Sequence, residues 1–154
     1  MRLRLLAVGT RMPAWGDAGV QDYLRRFPRD CPLELVEIPT AQRGQDAARA
    51  RLEEGRRLLA AIGARDQVIA LCVGGQRWTT PDLAKHLSDW QHQGRDVALL
   101  VGGPDGLDAA CLDRASLRWS LSPLTLPHAL ARVVVIEQLY RAWSIRAGHP
   151  YHRD

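Results

Sequence analysis

Two nearly unbroken aliphatic runs, residues 67–73 and 96–101, restrict most what this chain can fold into. A strand apolar on both faces needs cover on both faces, which is the situation of a central strand in a parallel sheet. The segments around these runs agree. Residues 2–8 read as a first strand. Residues 33–38 alternate Leu, Val and Ile with Glu, as a strand near a sheet edge or with one wet face does. Helical patterns fill the intervals. Residues 15–27 form the first, and residues 46–62 form the second, with Asp46 as its cap and Gly63 just past its end. A third starts with Thr80 at the cap and Pro81 in the first turn and runs to about His92. A short helix over 107–115, a fifth strand over 117–121, a long helix over 128–146 and a tail complete the chain. The reading is α/β, one domain over residues 1–154, with a mostly parallel sheet flanked by helices.

Length and composition fit that reading. A chain of 154 residues suits one domain and buries a core without disulfides. No apolar run reaches the roughly 18 residues of a membrane span, and the N-terminus lacks a secretory pattern. Cys31, Cys72 and Cys111 form no CxxC and meet no paired histidines, so neither a zinc site nor any other metal is expected. Cys72 lies in an apolar run and reads as core. Free cysteines suit a reducing compartment, hence the cytoplasm.

Charge is informative through its layout. The net charge is +4, and 20 of the 21 basic residues are Arg. Residues 1–65 carry 12 basic and 8 acidic side chains, residues 66–113 carry 3 and 7, and residues 114–154 carry 6 and 2. Basic ends that meet in space make a face for a polyanion. Tyr23-Leu24-Arg25-Arg26-Phe27 mixes stacking aromatics with phosphate-binding Arg. The long helix is apolar nearly all round through Leu130, Val133, Val134, Val135, Ile136, Leu139, Tyr140 and Trp143. In so small a domain, one of its faces is expected to meet a second subunit.

Three strand ends carry the candidate chemistry. They are Leu71-Cys72-Val73-Gly74-Gly75, Val101-Gly102-Gly103, and the stiff segment Leu121, Ser122, Pro123, Leu124, Thr125, Leu126 and Pro127. Ligands of open α/β sheets bind beyond the carboxyl ends of strands. Neither GxGxxG nor a Walker loop is present. The last segment offers backbone polar groups to an adenine edge, with Leu124 and Leu126 as walls. The tail His149-Pro150-Tyr151-His152-Arg153-Asp154 is dense in side chains that stack on bases, move protons or hold phosphate.

These motifs together resemble the RlmH (YbeA-type) family of SPOUT methyltransferases, which act on a pseudouridine of the large ribosomal subunit. The likeness runs end to end. It includes Ala7-Val8-Gly9-Thr10, Glu37-Ile38-Pro39, Gly102-Gly103-Pro104-Asp105-Gly106-Leu107, Trp119-Ser120-Leu121-Ser122, Leu124-Thr125-Leu126-Pro127-His128, Leu139-Tyr140-Arg141-Ala142-Trp143-Ser144 and the tail. The resemblance implies a C-terminal deep trefoil knot and S-adenosyl-L-methionine held by Leu71, Gly102, Gly103 and residues 121–127. It further implies a homodimer and methylation of N3 of pseudouridine at position 1915 of 23S rRNA on the assembled ribosome. His152 is then the first candidate for the base and His128 the second. Tyr151 and Arg153 would position the nucleotide, and Arg132 would meet phosphate or the developing imide anion. A cofactor-less RNA- or ribosome-binding module is the other reading. It accounts for the basic ends but not for three glycine- or proline-bounded strand ends.

Overall fold

A computed structural model describes residues 1–153; the final tail residue, Asp154, lies outside them. Five parallel strands stand in the order β2-β1-β4-β3-β5 among the described residues. They are β1 (Leu3–Val8), β2 (Leu33–Ile38), β3 (Gln67–Arg77), β4 (Val97–Val101) and β5 (Leu117–Ser120). The helices are α1 (Ala14–Leu24), α2 (Ala47–Ala61), α3 (Thr80–Gln93), α4 (Ala109–Arg114) and α5 (His128–Ala147).

Side-chain alternation along β1 sorts the two layers. Leu3, Leu5 and Ala7 face a core made with Val20 of α1, Leu83, Leu87 and Trp90 of α3, and Val135, Ile136 and Leu139 of α5. Leu6 and Val8 face the opposite core, with Leu58 of α2 and Cys111 of α4. The aliphatic run of β4 is buried throughout, between β1 and β3. β2 is an edge strand, and Glu34 and Glu37, three residues apart and so on opposite faces, are both exposed. α5 packs against both α1 and α3 as well as the sheet. Much of its all-round apolar character is thus used inside one chain, while Leu130 stays 42% exposed.

Several elements differ from their sequence reading for local reasons. The first helix stops at Leu24 rather than residue 27. Thr79, not Thr80, caps α3, because its partner must stand three residues on. Thr79 Oγ1 accepts from the Asp82 N–H at 3.1 Å, and Asp82 Oδ2 accepts from the Thr79 N–H at 2.9 Å. The Thr80 hydroxyl instead donates to Gln138 of α5 at 2.8 Å. β3 continues past Val73 to Arg77 through an irregularity between Leu71 and Gln76 in its ladder with β5. Gly75 makes that possible: a Cβ there would stand 2.7 Å from the backbone of Arg118 and Trp119.

Candidate functional site

The carboxyl ends of β3, β4 and β5 open onto one cavity of about 600 Å³. Because β3 leaves its ladder after Leu71, the side chains of Leu71, Cys72 and Val73 form one wall. Val101, Gly102, Gly103, Pro104 and Gly106 form the floor. Gly102 is required by its own loop, since a Cβ there would lie 2.4 Å from the carbonyl carbon of Gly106. Leu121, Ser122, Leu124, Thr125, Leu126 and Pro127 form the opposite wall and lead into His128 and Ala131 of α5. Nine of the ten residues expected around the cofactor therefore line one cavity; Pro123 is exposed and is not among them. The Ser122 hydroxyl accepts from the Leu124 N–H at 2.9 Å and Ser120 donates to the Ser122 carbonyl at 3.1 Å, so the segment is locally braced. Leu124 is nevertheless 70% exposed.

Cys72 corrects its sequence reading. It is half-buried on the cavity wall, because the bulge turns this part of the run away from the sheet. Cys31 and Cys111 are the buried cysteines. Burial, with Asp108 beside it, pushes the Cys111 thiol up to about 12.

His128 lines this cavity and a neighbouring cleft. Its pKa is lowered by burial first, then by the positive charges of Arg132 and Arg43. Arg132 is 1% exposed. Its Nη1 donates to Glu37 Oε2 at 2.9 Å, and its Nη2 donates to the carbonyls of Val8 and Gly9 at 3.2 and 2.8 Å. Those bonds make an internal clasp between α5 and the ends of β1 and β2.

Tyr151 and His152 anchor the described part of the tail. The Tyr151 hydroxyl lies 3.0 Å from Glu137 Oε1 and 3.1 Å from the Tyr23 hydroxyl. Burial and these two bonds raise its pKa. Arg141 stacks over the Tyr151 ring at 4.7 Å, and its Nη1 lies 3.3 Å from His152 Nδ1. Arg26 stands over Tyr23 at 4.7 Å and 5.9 Å from the Tyr151 ring centre. The two basic ends of the sequence thus meet here, with Arg153 and Arg25 exposed. The tail and the cavity stand apart: Arg141 and His128 are 13 residues apart on α5, about 20 Å of helix rise.

Sequence reasoning missed a third cluster. Arg43, in the loop after β2, donates to buried Glu54 of α2 and to Asp105 of the glycine loop. Nothing periodic marks it, since Glu53-Glu54 reads as a solvated helix face. Trp119 and Ala131 also line the cavity; Ala131, one turn after His128, was open to inference from helix spacing alone.

Residues 1–152 match the family described as "Predicted SPOUT methyltransferase". The chain belongs to the SPOUT methyltransferase family. A relative from Hahella chejuensis (strain KCTC 2396), named "Ribosomal RNA large subunit methyltransferase H", is 53% identical to this SPOUT methyltransferase over 156 residues, covering 100% of both chains. Two solved structures share the fold. A probable methylase family protein from Haemophilus influenzae Rd KW20 has a TM-score of 0.62 at 11% identity, over 99% of this chain and 70% of that one. A putative methylase family protein from Neisseria gonorrhoeae has a TM-score of 0.56 at 15% identity, over 99% and 86%. Family membership disfavours the cofactor-less module. Among the described residues of this methyltransferase, no cluster of three or more His, Cys, Asp or Glu side chains is placed to hold a metal, and no helix is long and apolar enough to cross a membrane.

Proposed function

We propose that this SPOUT methyltransferase uses S-adenosyl-L-methionine to methylate N3 of a pseudouridine in 23S rRNA, acting as a cytoplasmic homodimer on the assembled ribosome. The convergence of three strand ends on one cavity carries the cofactor assignment. The donor set fits such a ligand: aliphatic walls for an adenosine, backbone groups and the Ser122 and Thr125 hydroxyls for its polar edges. Exposed Leu124 gains cover when the cavity fills. The cofactor supplies a methyl group activated on sulfonium sulfur. The chain's part is to orient the target nitrogen and hold its proton. His128 is the base favoured by position, on the cavity wall and with its neutral form favoured. Tyr151 and Arg153 hold the nucleotide, and His152, the first candidate base in the sequence, reaches the cavity only where a partner's tail does.

The separation of tail and cavity supports the dimer. A two-fold axis that sets two α5 helices antiparallel carries one protomer's tail to its partner's cavity, and Leu130 and Val134 give this helix an apolar strip for that contact. The trefoil knot belongs to the same reading, with residues 121–127 running beside 102–106 at the cavity. The 53% identical relative, named as an rRNA large subunit methyltransferase, supports the substrate. Transfer of labelled methyl to whole ribosomes, compared with free subunits and naked rRNA, tests the reading; no transfer to any of them overturns it.

A further inference from the structure

A second cleft of about 490 Å³ adjoins the cofactor cavity and shares Pro104 and His128 with it. It opens at the carboxyl ends of β1 and β2, beside Gly9, Thr10, Arg11 and Thr40, with Arg132 at its base. The two hollows differ in chemistry. The first has aliphatic walls. The second has a mixed lining, proportionately more polar, and bears two guanidinium groups, of which Arg11 is exposed and Arg132 is buried. Glu37 compensates Arg132 but is itself 36% exposed at the edge of the sheet. Arg132 Nε is buried without a hydrogen-bond partner, so the clasp leaves one donor of this cation unanswered.

An open, cationic cleft of this kind suits one unit of a polyanion better than a closed metabolite. A base attacked at a ring nitrogen must leave its stack and enter a pocket beside the methyl donor. The shared wall at His128 and Pro104 meets that geometric requirement from within one chain.

We propose that this cleft is the subsite for the target nucleotide, with its uracil-type base turned toward His128 and its phosphate on Arg11. The inference rests on the methyltransferase reading above and adds the place and orientation of the nucleotide. Thr10 and Thr40 offer hydroxyls to the imide carbonyls, and the buried charge of Arg132 favours electron density on those oxygens.

Titration of uridine 5′-monophosphate into ¹⁵N-labelled protein without cofactor tests the site directly. Shifts are expected at the amides of Gly9, Thr10 and Thr40, and Arg11→Gln should abolish them while Arg11→Lys retains them. In ribosome methylation, Arg11→Gln should raise KM about tenfold or more, the size of one lost charge-assisted contact, with kcat little changed and S-adenosyl-L-methionine affinity by calorimetry unaltered. Absence of shifts at these amides, shifts confined to Leu71, Gly102 and their neighbours, or a normal KM for Arg11→Gln overturns the subsite. Wild-type protein that methylates no ribosomal substrate overturns the functional reading instead, and the nucleotide titration remains readable in that case.

Discussion

Glu54 grips Arg43 with both carboxylate oxygens, at 2.9 and 3.1 Å from Nη2, while Arg43 Nε reaches Asp105 Oδ2 at 2.8 Å. The Glu54 side chain is only 2% exposed and also accepts from the Ala41 N–H at 3.1 Å. One guanidinium thereby fastens the glycine loop under the cofactor cavity to α2 on the far layer of the sheet.

Arg43→Ala leaves a buried carboxylate without its cation, a change expected to cost about 3 kcal/mol. Urea unfolding measures that loss. Arg43→Lys restores the charge but not the fork that bridges two carboxylates. It should recover much of the stability and still bind S-adenosyl-L-methionine more weakly than wild type by calorimetry. Equal affinity in the two proteins would show that the clasp is indifferent to the loop.

Only one of the three thiols should react readily in the native protein. Cys111 is fully buried with its thiol pushed up to about 12, and Cys31 is 4% exposed. Cys72 stands on the cavity wall. Peptide mapping after brief alkylation should find the label on Cys72, and S-adenosyl-L-methionine should slow its reaction. Labelling unaffected by the cofactor would count against the cavity as its site.

The low pKa of His128 fixes the direction of two pH effects. Burial, aided by Arg132 and Arg43, holds it below the ordinary 6.5. The unfolded chain therefore takes up this proton first as pH falls. The stability tied to neutral His128 is complete above about 6.5 and declines as pH drops toward the native pKa. Methyl transfer should likewise stay level at neutral pH and fall only below the usual histidine range. His128→Asn should lower kcat and remove that acidic limb, which a pH–rate series reads directly.

Removing residues 149–154 should abolish methyl transfer and leave cofactor affinity nearly intact. A sharper form of the test mixes subunits. Tail-deleted protein, inactive alone, and His128→Asn protein, with its kcat lowered, should together exceed the activity of either when co-refolded, because one mixed dimer then holds one intact pair of tail and cavity. No recovery in verified heterodimers argues that each site is built within one chain. Sedimentation at micromolar concentration should show the dimer; a stable monomer there would remove this account of the tail.

How far the sequence carries depends on the range of the interaction. The buried strands, the edge position of β2 and the meeting of three strand ends follow from local pattern, because periodicity and glycine placement are recorded within a few residues. The cap of α3 was misplaced by one residue, since Thr79 and Thr80 are alike until the partner Asp82 is counted. Cys72 was misjudged, and the partners of Arg132 went unseen, for a different reason. The partners of Arg132 lie 95, 123 and 124 residues away, and Cys72 owes its exposure to a bulge opposite β5. Side-chain pairs across such separations leave no trace in a window of neighbouring residues.

The strand order has a consequence for how the protein comes into being. β1 is made first, yet one of its edges stays open until β4 arrives, since β4 inserts between β1 and the earlier-made β3. The carbonyls at the end of β1 wait longer still, for Arg132. A nascent chain therefore carries an unpaired aliphatic edge through most of its synthesis, and loop closure over such distances slows assembly. This enzyme should emerge as a slow folder that needs shelter from aggregation until its last helix is in place.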